Sequence, residues 1–116
     1  MKNTLSLRKN YEFQRVYSKG NFCTGKYLVL YYIKNTYNLN RLGISAGKKT
    51  GISVVRNRLK RIVKENYRLL ENRIFIGYDL VFMVRKSDIL PGFWDIKREM
   101  KYLLKKGNLF DTEKVD

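Results

Sequence analysis

The chain has 116 residues, with 25 Lys and Arg against 10 Asp and Glu, a formal net charge of +15, one cysteine and no histidine. That length makes one domain with a modest core, and a content of 44% hydrophobic and 14% aromatic residues argues against a disordered polyelectrolyte. The missing histidine removes the commonest general base, the Ser-His and Cys-His nucleophile pairs and most zinc chemistry, while the lone Cys23 has no partner for an internal disulfide.

In chain order, residues 1–8 lack the apolar run of a signal peptide, and the longest apolar stretch, residues 27–33, is too short to cross a bilayer. A soluble, cytoplasmic protein is expected. Residues 11–18 read as a short helix, with Asn10 as N-cap and Gly20 as its stop. Phe13, Val16 and Tyr17 fall on one face of it. Residues 27–34 follow as a strand rich in β-branched and aromatic side chains. Its alternation sends Tyr27, Val29 and Tyr31 to one face and Leu28, Leu30 and Tyr32 to the other. Residues 37–40 are turn material, so residues 41–46 read as an antiparallel return strand.

A long helix is predicted to start near Thr50 or Ser53, either able to cap it, and to run to about Asn72. Gly77 ends the connection, residues 78–85 form a third, largely buried strand, and residues 86–91 make a loop. Residues 92–106 read as an amphipathic helix with Phe93, Trp94, Ile96, Met100, Leu103 and Leu104 on its apolar side. From Gly107 onward there are three acids (Asp111, Glu113, Asp116) and no periodicity, so a single domain over residues 1–106 and a frayed tail over residues 107–116 are expected. The order α-β-β-α-β-α is that of a small α+β sandwich: helices on a sheet with a mixed β-α-β crossover.

The long helix carries the most organised charge. At 100° per residue, Val55, Leu59, Ile62, Val63, Tyr67 and Leu70 share one arc. Asn57, Lys60, Arg61, Lys64 and Arg68 share an adjoining one, and Arg56 and Arg58 flank the apolar stripe on either side. From Arg41 to Arg68 these cations, with Lys48 and Lys49, face a single acid, Glu65. An ordinary solvated helix intersperses charges of both signs for i, i+4 support; this one stacks like charges. Arg forks and mobile Lys ammonium groups grip phosphate, and Lys48 and Lys49 precede the helix, where free backbone N–H groups also favour an anion. The stripe therefore reads as a polyanion-binding surface, with nucleic acid favoured over an anionic membrane. The acids are scattered singly and offer no carboxylate cluster for a metal-dependent nuclease, so any chemistry is expected to belong to a partner.

The run Arg41-Leu42-Gly43-Ile44-Ser45-Ala46-Gly47-Lys48-Lys49-Thr50-Gly51, leading into Val54-Val55-Arg56-Asn57-Arg58-Leu59-Lys60-Arg61, resembles the "RNR" signature of the bacterial ribonuclease P protein subunit. The resemblance extends to Leu7, Phe13, Val16, Tyr17 and Gly20 and continues through residues 79–86 and the last helix. It implies a ribosomal-protein-S5-like α+β domain with a left-handed β-α-β crossover around the long helix. It also implies a role: binding the catalytic RNA of ribonuclease P and the 5′ leader of precursor tRNA, with no cofactor held by the protein alone and hydrolysis carried out by the RNA with Mg²⁺.

By resemblance, Lys48, Lys49, Arg56, Asn57, Arg58, Lys60, Arg61, Lys64 and Arg68 would face the RNA subunit. Phe13, Tyr17, Val29 and Tyr31 would line a cleft for the single-stranded leader, with Arg85 and Lys86 at its basic edge. Aromatics suit that task because bases of any identity stack on them. Phe13, Tyr17 and Val29 also have a plain core-packing reading. The chain departs from the family pattern at Ser53, where small apolar alanine is common, and at Gly47, which offers no side chain. A ribosomal or general RNA-binding protein would use the same basic face without assisting any reaction.

Overall fold

A computed structural model of the chain describes residues 1–114. Its elements are β1 (Thr4–Ser6), α1 (Asn10–Lys19), β2 (Asn21–Thr24), β3 (Leu28–Lys34), β4 (Asn40–Ala46), α2 (Ser53–Leu70), β5 (Tyr78–Val84) and α3 (Phe93–Lys106), with 3-10 turns Lys48–Thr50 and Glu71–Arg73 flanking α2. The strands form one mixed sheet in the order β1-β4-β5-β3-β2. Pairs β1–β4 and β4–β5 are parallel, and β3–β5 and β2–β3 are antiparallel. The expected α+β class and the β-α-β unit, here β4-α2-β5, are observed, with two more strands than the sequence disclosed.

β5 takes the centre because Leu80, Val81 and Phe82 are apolar in succession and all three are fully buried, the mark of a strand covered on both faces. That placement corrects the expected hairpin: β4 runs back against the direction of β3 but does not pair with it, because β5 lies between them. The connection from β3 to β4, including Asn40 of the expected turn, is tied to the entry of β5 instead. Asn35 N–H donates to the Gly77 carbonyl at 2.8 Å. The buried Asn40 accepts the Gly77 and Tyr78 N–H groups on Oδ1 at 2.9 Å each, and its Nδ2 donates to the Phe75 carbonyl at 3.1 Å.

The caps also differ from expectation. Lys9, not Asn10, occupies the N-cap of α1, and Glu12 Oε1 accepts the Arg8 and Lys9 N–H groups at 3.0 and 2.9 Å. Gly20 stops α1 with φ −85°, outside the left-handed region; a Cβ there would lie 2.6 Å from the carbonyl oxygens of Val16 and Tyr32. Neither Thr50 nor Ser53 caps α2: Ile52 is its N-cap, and the Ser53 hydroxyl instead accepts from Arg56 Nη2 at 3.1 Å. α2 gives way after Leu70 to a 3-10 turn, two residues before its expected end near Asn72.

The sheet separates two apolar layers. On one side α2 and α3 cover it, with Leu59, Val63, Tyr67, Leu70, Ile96, Met100, Leu103 and Leu104 packed against Leu28, Leu30, Leu42, Leu80 and Phe82. On the other side α1 covers it, with Val16 packed against Leu7 of the preceding connection and Val81 of β5, and Phe13, Tyr17, Tyr31 and Ile33 half-buried around them. Alternation along β3 holds, except that Tyr27, just before the strand, packs in the first layer rather than beside Val29 and Tyr31. Trp94, assigned to the apolar side of the last helix, is instead 65% exposed.

The expected fraying from Gly107 does not hold for the residues that follow at once. Leu109 and Phe110 are buried in the main core, Phe110 bridges Ile74, and Asp111 N–H donates to the Arg73 carbonyl at 2.7 Å. Two buried side chains at roughly 1.5–3 kcal/mol each are enough to dock a segment without any periodicity. Val115 and Asp116, the end of the tail expected to fray, lie outside the described residues. Among the described residues no helix is long and apolar enough to cross a membrane.

Candidate nucleic-acid interface

The α1 side of the sheet is a set of rungs fixed by register. One runs Ser45–Met83–Val29–Thr24, the next Gly43–Val81–Tyr31–Phe22, and the last Arg41–Asp79–Ile33. α1 crosses them with Val16 buried beneath it. It comes close at Gly43, where a Cβ would fall 2.5 Å from the Phe13 ring.

One flank of α1 carries the aromatics. Phe13 and Tyr17 ring centroids are 6.4 Å apart, Tyr17 meets Tyr31 edge-on at 4.9 Å, and Tyr31 meets Phe22 at 5.9 Å. The Tyr17 hydroxyl shares a 3.0 Å hydrogen bond with Ser45 Oγ, which holds that ring over the sheet. Three of the four expected cleft residues are thus together and half-buried. Val29 lies among them but is only 7% exposed, so it serves as floor and offers little surface. Phe22, 64% exposed at the end of the row, is the aromatic the sequence reading missed, as it missed the half-buried Ser45 and Met83. The available signal was the Phe22–Thr24 alternation around the buried Cys23, within a strand of only four residues.

Arg85 and Lys86 are exposed just past β5. Arg85 Nη1 donates to the Gly25 carbonyl at 2.6 Å, and Lys86 lines a depression with Lys26 and residues 87–89. The turn that presents Lys26 is organised from α3: the Glu99 carboxylate accepts the N–H groups of Lys26, Tyr27 and Leu28 at 2.8, 2.8 and 2.6 Å. Gly25 leaves room for it, since a Cβ there would lie 2.5 Å from the Glu99 side chain.

The last rung anchors α1. Asp79, 1% exposed, accepts Arg41 Nε at 2.9 Å and Arg41 Nη2 at 2.7 Å, Asn35 Nδ2 at 2.9 Å and Arg15 Nη1 at 3.4 Å. Arg41 also donates to Glu12 of α1 at 2.9 Å. Burial alone would push the Asp79 carboxyl up; the Arg41 and Asn35 hydrogen bonds and the charges of Arg41 and Arg15 outweigh it and hold the group below its ordinary value. Glu12 is likewise lowered, chiefly by the Lys9 and Arg8 N–H groups. A depressed folded-state value means that the stabilisation is complete above the unfolded value, about 4, and is lost as pH falls through the folded one. The urea midpoint should therefore stay level from neutral pH to about 5 and drop below about 4, less steeply in Asp79→Asn. Parallel acid curves for the two proteins would rule Asp79 out as the cause.

On the opposite side of the sheet, α2 presents the cations. Asn57, Lys60, Arg61 and Lys64 surround a shallow depression of about 330 Å³ floored by Ile44 of β4. Among the described residues none of these three cations has an acidic partner within ion-pair distance. Lys48 and Lys49 stand exposed in the 3-10 turn ahead of the helix, and beside them Gly47 is exposed with open space where a side chain would be. Arg56 and Arg68 are less available than the stripe suggested. Arg56 is partly buried and bonded to Ser53. Arg68 is paired with the exposed Glu65 at 2.6 Å, and the hydrogen bonding between them lowers the Glu65 pKa and raises that of Arg68. Arg58 stands apart from the others, lining a second recess with Val54, Val55, Leu59 and residues 90–92.

The two surfaces meet through β4. Ser45 faces the aromatic row and its neighbour Ile44 floors the cationic depression, so consecutive residues of one strand serve both, one sheet thickness apart. The arrangement suits two stretches of nucleic acid held at once: unpaired bases against the aromatics, and phosphates against α2. Among the described residues no three His, Cys, Asp or Glu side chains come together to hold a metal ion.

The family model described as Ribonuclease P matches residues 1–108. The ribonuclease P protein component of Clostridium botulinum (strain 657 / Type Ba4) is 49% identical over 106 residues, 90% of this chain and 96% of its own length. The RNase P protein of Staphylococcus aureus superposes with a TM-score of 0.83 at 31% identity, covering 90% of this chain and 96% of that one. A mutant of the S. aureus protein described as having defective mRNA degradation activity superposes at 0.82, also 31% identical, covering 90% and 89%.

Proposed function

The chain belongs to the ribonuclease P protein family, and from that membership we propose that it is the protein subunit of a bacterial ribonuclease P in the cytoplasm. It binds the catalytic RNA through Lys48, Lys49, Arg56, Asn57, Arg58, Lys60, Arg61, Lys64 and Arg68. The 5′ leader of precursor tRNA lies against Phe13, Tyr17, Tyr31 and Phe22 over the Val29 floor, with Arg85, Lys86 and Lys26 on its phosphates. The RNA, with Mg²⁺, supplies the hydrolysis; the protein holds leader and catalyst in register. The observation that supports this reading best is the back-to-back placement of the two surfaces on Ile44 and Ser45 of β4.

Reconstitution with a bacterial ribonuclease P RNA at low Mg²⁺ and moderate salt tests it. Cleavage of precursor tRNA and affinity for it should both rise when the protein is added. No gain in either would leave a general RNA-binding protein as the better description. Within the same assay, Tyr31→Ala should weaken binding of precursor relative to mature tRNA by about 1–3 kcal/mol, the worth of one stacked base. Equal losses for the two tRNAs would remove the cleft assignment.

The description of the S. aureus mutant as defective in mRNA degradation activity motivates a second reading for this chain, mRNA degradation. Cleavage of an mRNA by the purified chain, freed of ribonuclease P RNA, is its test.

A further inference from the structure

Arg58 borders the cationic arc of α2 without sharing its depression. At 100° per residue it lies about 60° from Arg61 but about 160° from Lys60, on the flank that meets the segment leading into α3. There it lines a recess of about 210 Å³ with Val54, Val55, Leu59, Leu90, Pro91 and Gly92. The surround is unusually apolar for a chain of this charge: Ile52 is 71% exposed, Val54 70%, Ile89 76% and Leu90 48%. Exposed apolar groups gathered in one place mark an interaction surface, and among the described residues nothing covers these.

We propose that this recess is a slot for one unpaired nucleobase of the RNA that α2 binds, with Arg58 at its mouth. The assignment rests on the RNA-binding reading of α2 and extends it from phosphate contact to base insertion. Charge complementarity selects the occupant. The flank adjoins the cationic arc through Arg61, one turn on from Arg58, on a chain of net charge +15, so a second copy would bring like charge against like. The occupant must be apolar-faced and anionic, which describes a base splayed from its strand with its phosphate beside it. A planar guanidinium suits either half, stacking on the ring or bonding the phosphate in two-pronged fashion. An anionic membrane shares the charge, but the recess has a floor, Val55 and Leu59, and takes an inserted group rather than presenting a ridge to a bilayer.

The test is equilibrium binding of the full chain to a bacterial ribonuclease P RNA across a range of salt, with Val54→Ser and Leu90→Ser. Both positions are exposed, and thermal melting checks that each variant folds as the parent does. Each variant should bind about tenfold more weakly at every salt concentration, a loss in the range of one stacked base, with the slope of log affinity against log salt unchanged because no cation has been removed. Arg58→Ala should lower both affinity and slope. As a readout independent of affinity, Ile89→Cys carries a photo-cross-linker in the assembled complex, Cys23 being buried; it should mark one unpaired nucleotide, and Leu90→Ser should abolish the mark.

Parent-like binding by both serine variants, or cross-links spread over many nucleotides, overturns the slot while the RNA reading stands. Salt-independent or absent binding by the parent chain overturns the RNA reading itself. Binding to phosphatidylserine vesicles, or self-association in sedimentation, that is lost in Leu90→Ser would assign the recess to a membrane or to a second copy instead.

Discussion

Asp79→Ala is expected to cost the fold about 3–5 kcal/mol, the penalty for breaking a buried ion pair from one side. With domain stability typically about 5–15 kcal/mol, that is a large share of the whole. The carboxylate is 1% exposed and is the shared acceptor for Arg41, Arg15 and Asn35. Arg41, partly buried at 19% side-chain exposure, would keep Glu12 as its one acidic partner among the described residues, beside its contact with the Tyr37 ring. The loss also has a direction: Arg15 and Glu12 both belong to α1, so the helix that carries Phe13 and Tyr17 loses much of its tether to the sheet. Urea unfolding measures the cost, and precursor-over-mature discrimination in the same variant measures the loosened cleft. A loss below about 1 kcal/mol, the range of a surface ion pair, would show that the cluster is solvated rather than structural.

The second large effect belongs to α2. Replacing Lys60, Arg61 and Lys64 together by alanine should reduce the salt slope of binding to ribonuclease P RNA by about 2–3, since each phosphate neutralised contributes about 0.7–0.9. Affinity at low salt should fall by about two orders of magnitude or more, with little change in stability, because these side chains lie at or near the surface without acidic partners. Arg68→Ala should do much less than any one of them, its guanidinium being already held by Glu65. An unchanged slope in the triple variant would move the RNA contact elsewhere.

Much of this was legible in the residues alone. Strong periodicity located α1, α2 and α3, and the apolar runs located β3 and β5, because burial on one or both faces leaves a repeat. Edge elements leave none. β1 and β2 have three and four residues, too few to alternate, and Phe22 and Lys26 were missed with them. The partner of β3 was misassigned for a different reason: the composition of residues 37–40 states that the chain turns, not which strand lies beside it. That choice was made by β5, whose two apolar faces demand cover, and by Asn40, whose three hydrogen bonds to residues 75–78 reach across more than thirty positions. The basic stripe was read as one surface, yet its members differ in availability. Glu65 spends Arg68, Ser53 holds Arg56, and the α3 entry draws Arg58 to a recess of its own. Helical angle shows where such side chains point and not what meets them.

The central position of β5 bears on how the chain is made. Its first 46 residues contain four of the five strands, yet they assemble only as two separate pairs, β1 with β4 and β2 with β3. Within the sheet, β5 is the strand that joins those halves. During synthesis the sheet cannot close until residue 84 has left the ribosome, so for most of translation the nascent chain displays open strand edges alongside an unneutralised cationic segment. Non-local pairing of this kind folds slowly and late. Aggregation and premature capture by cellular RNA both compete in that interval, and completion of β5 is the event that ends it.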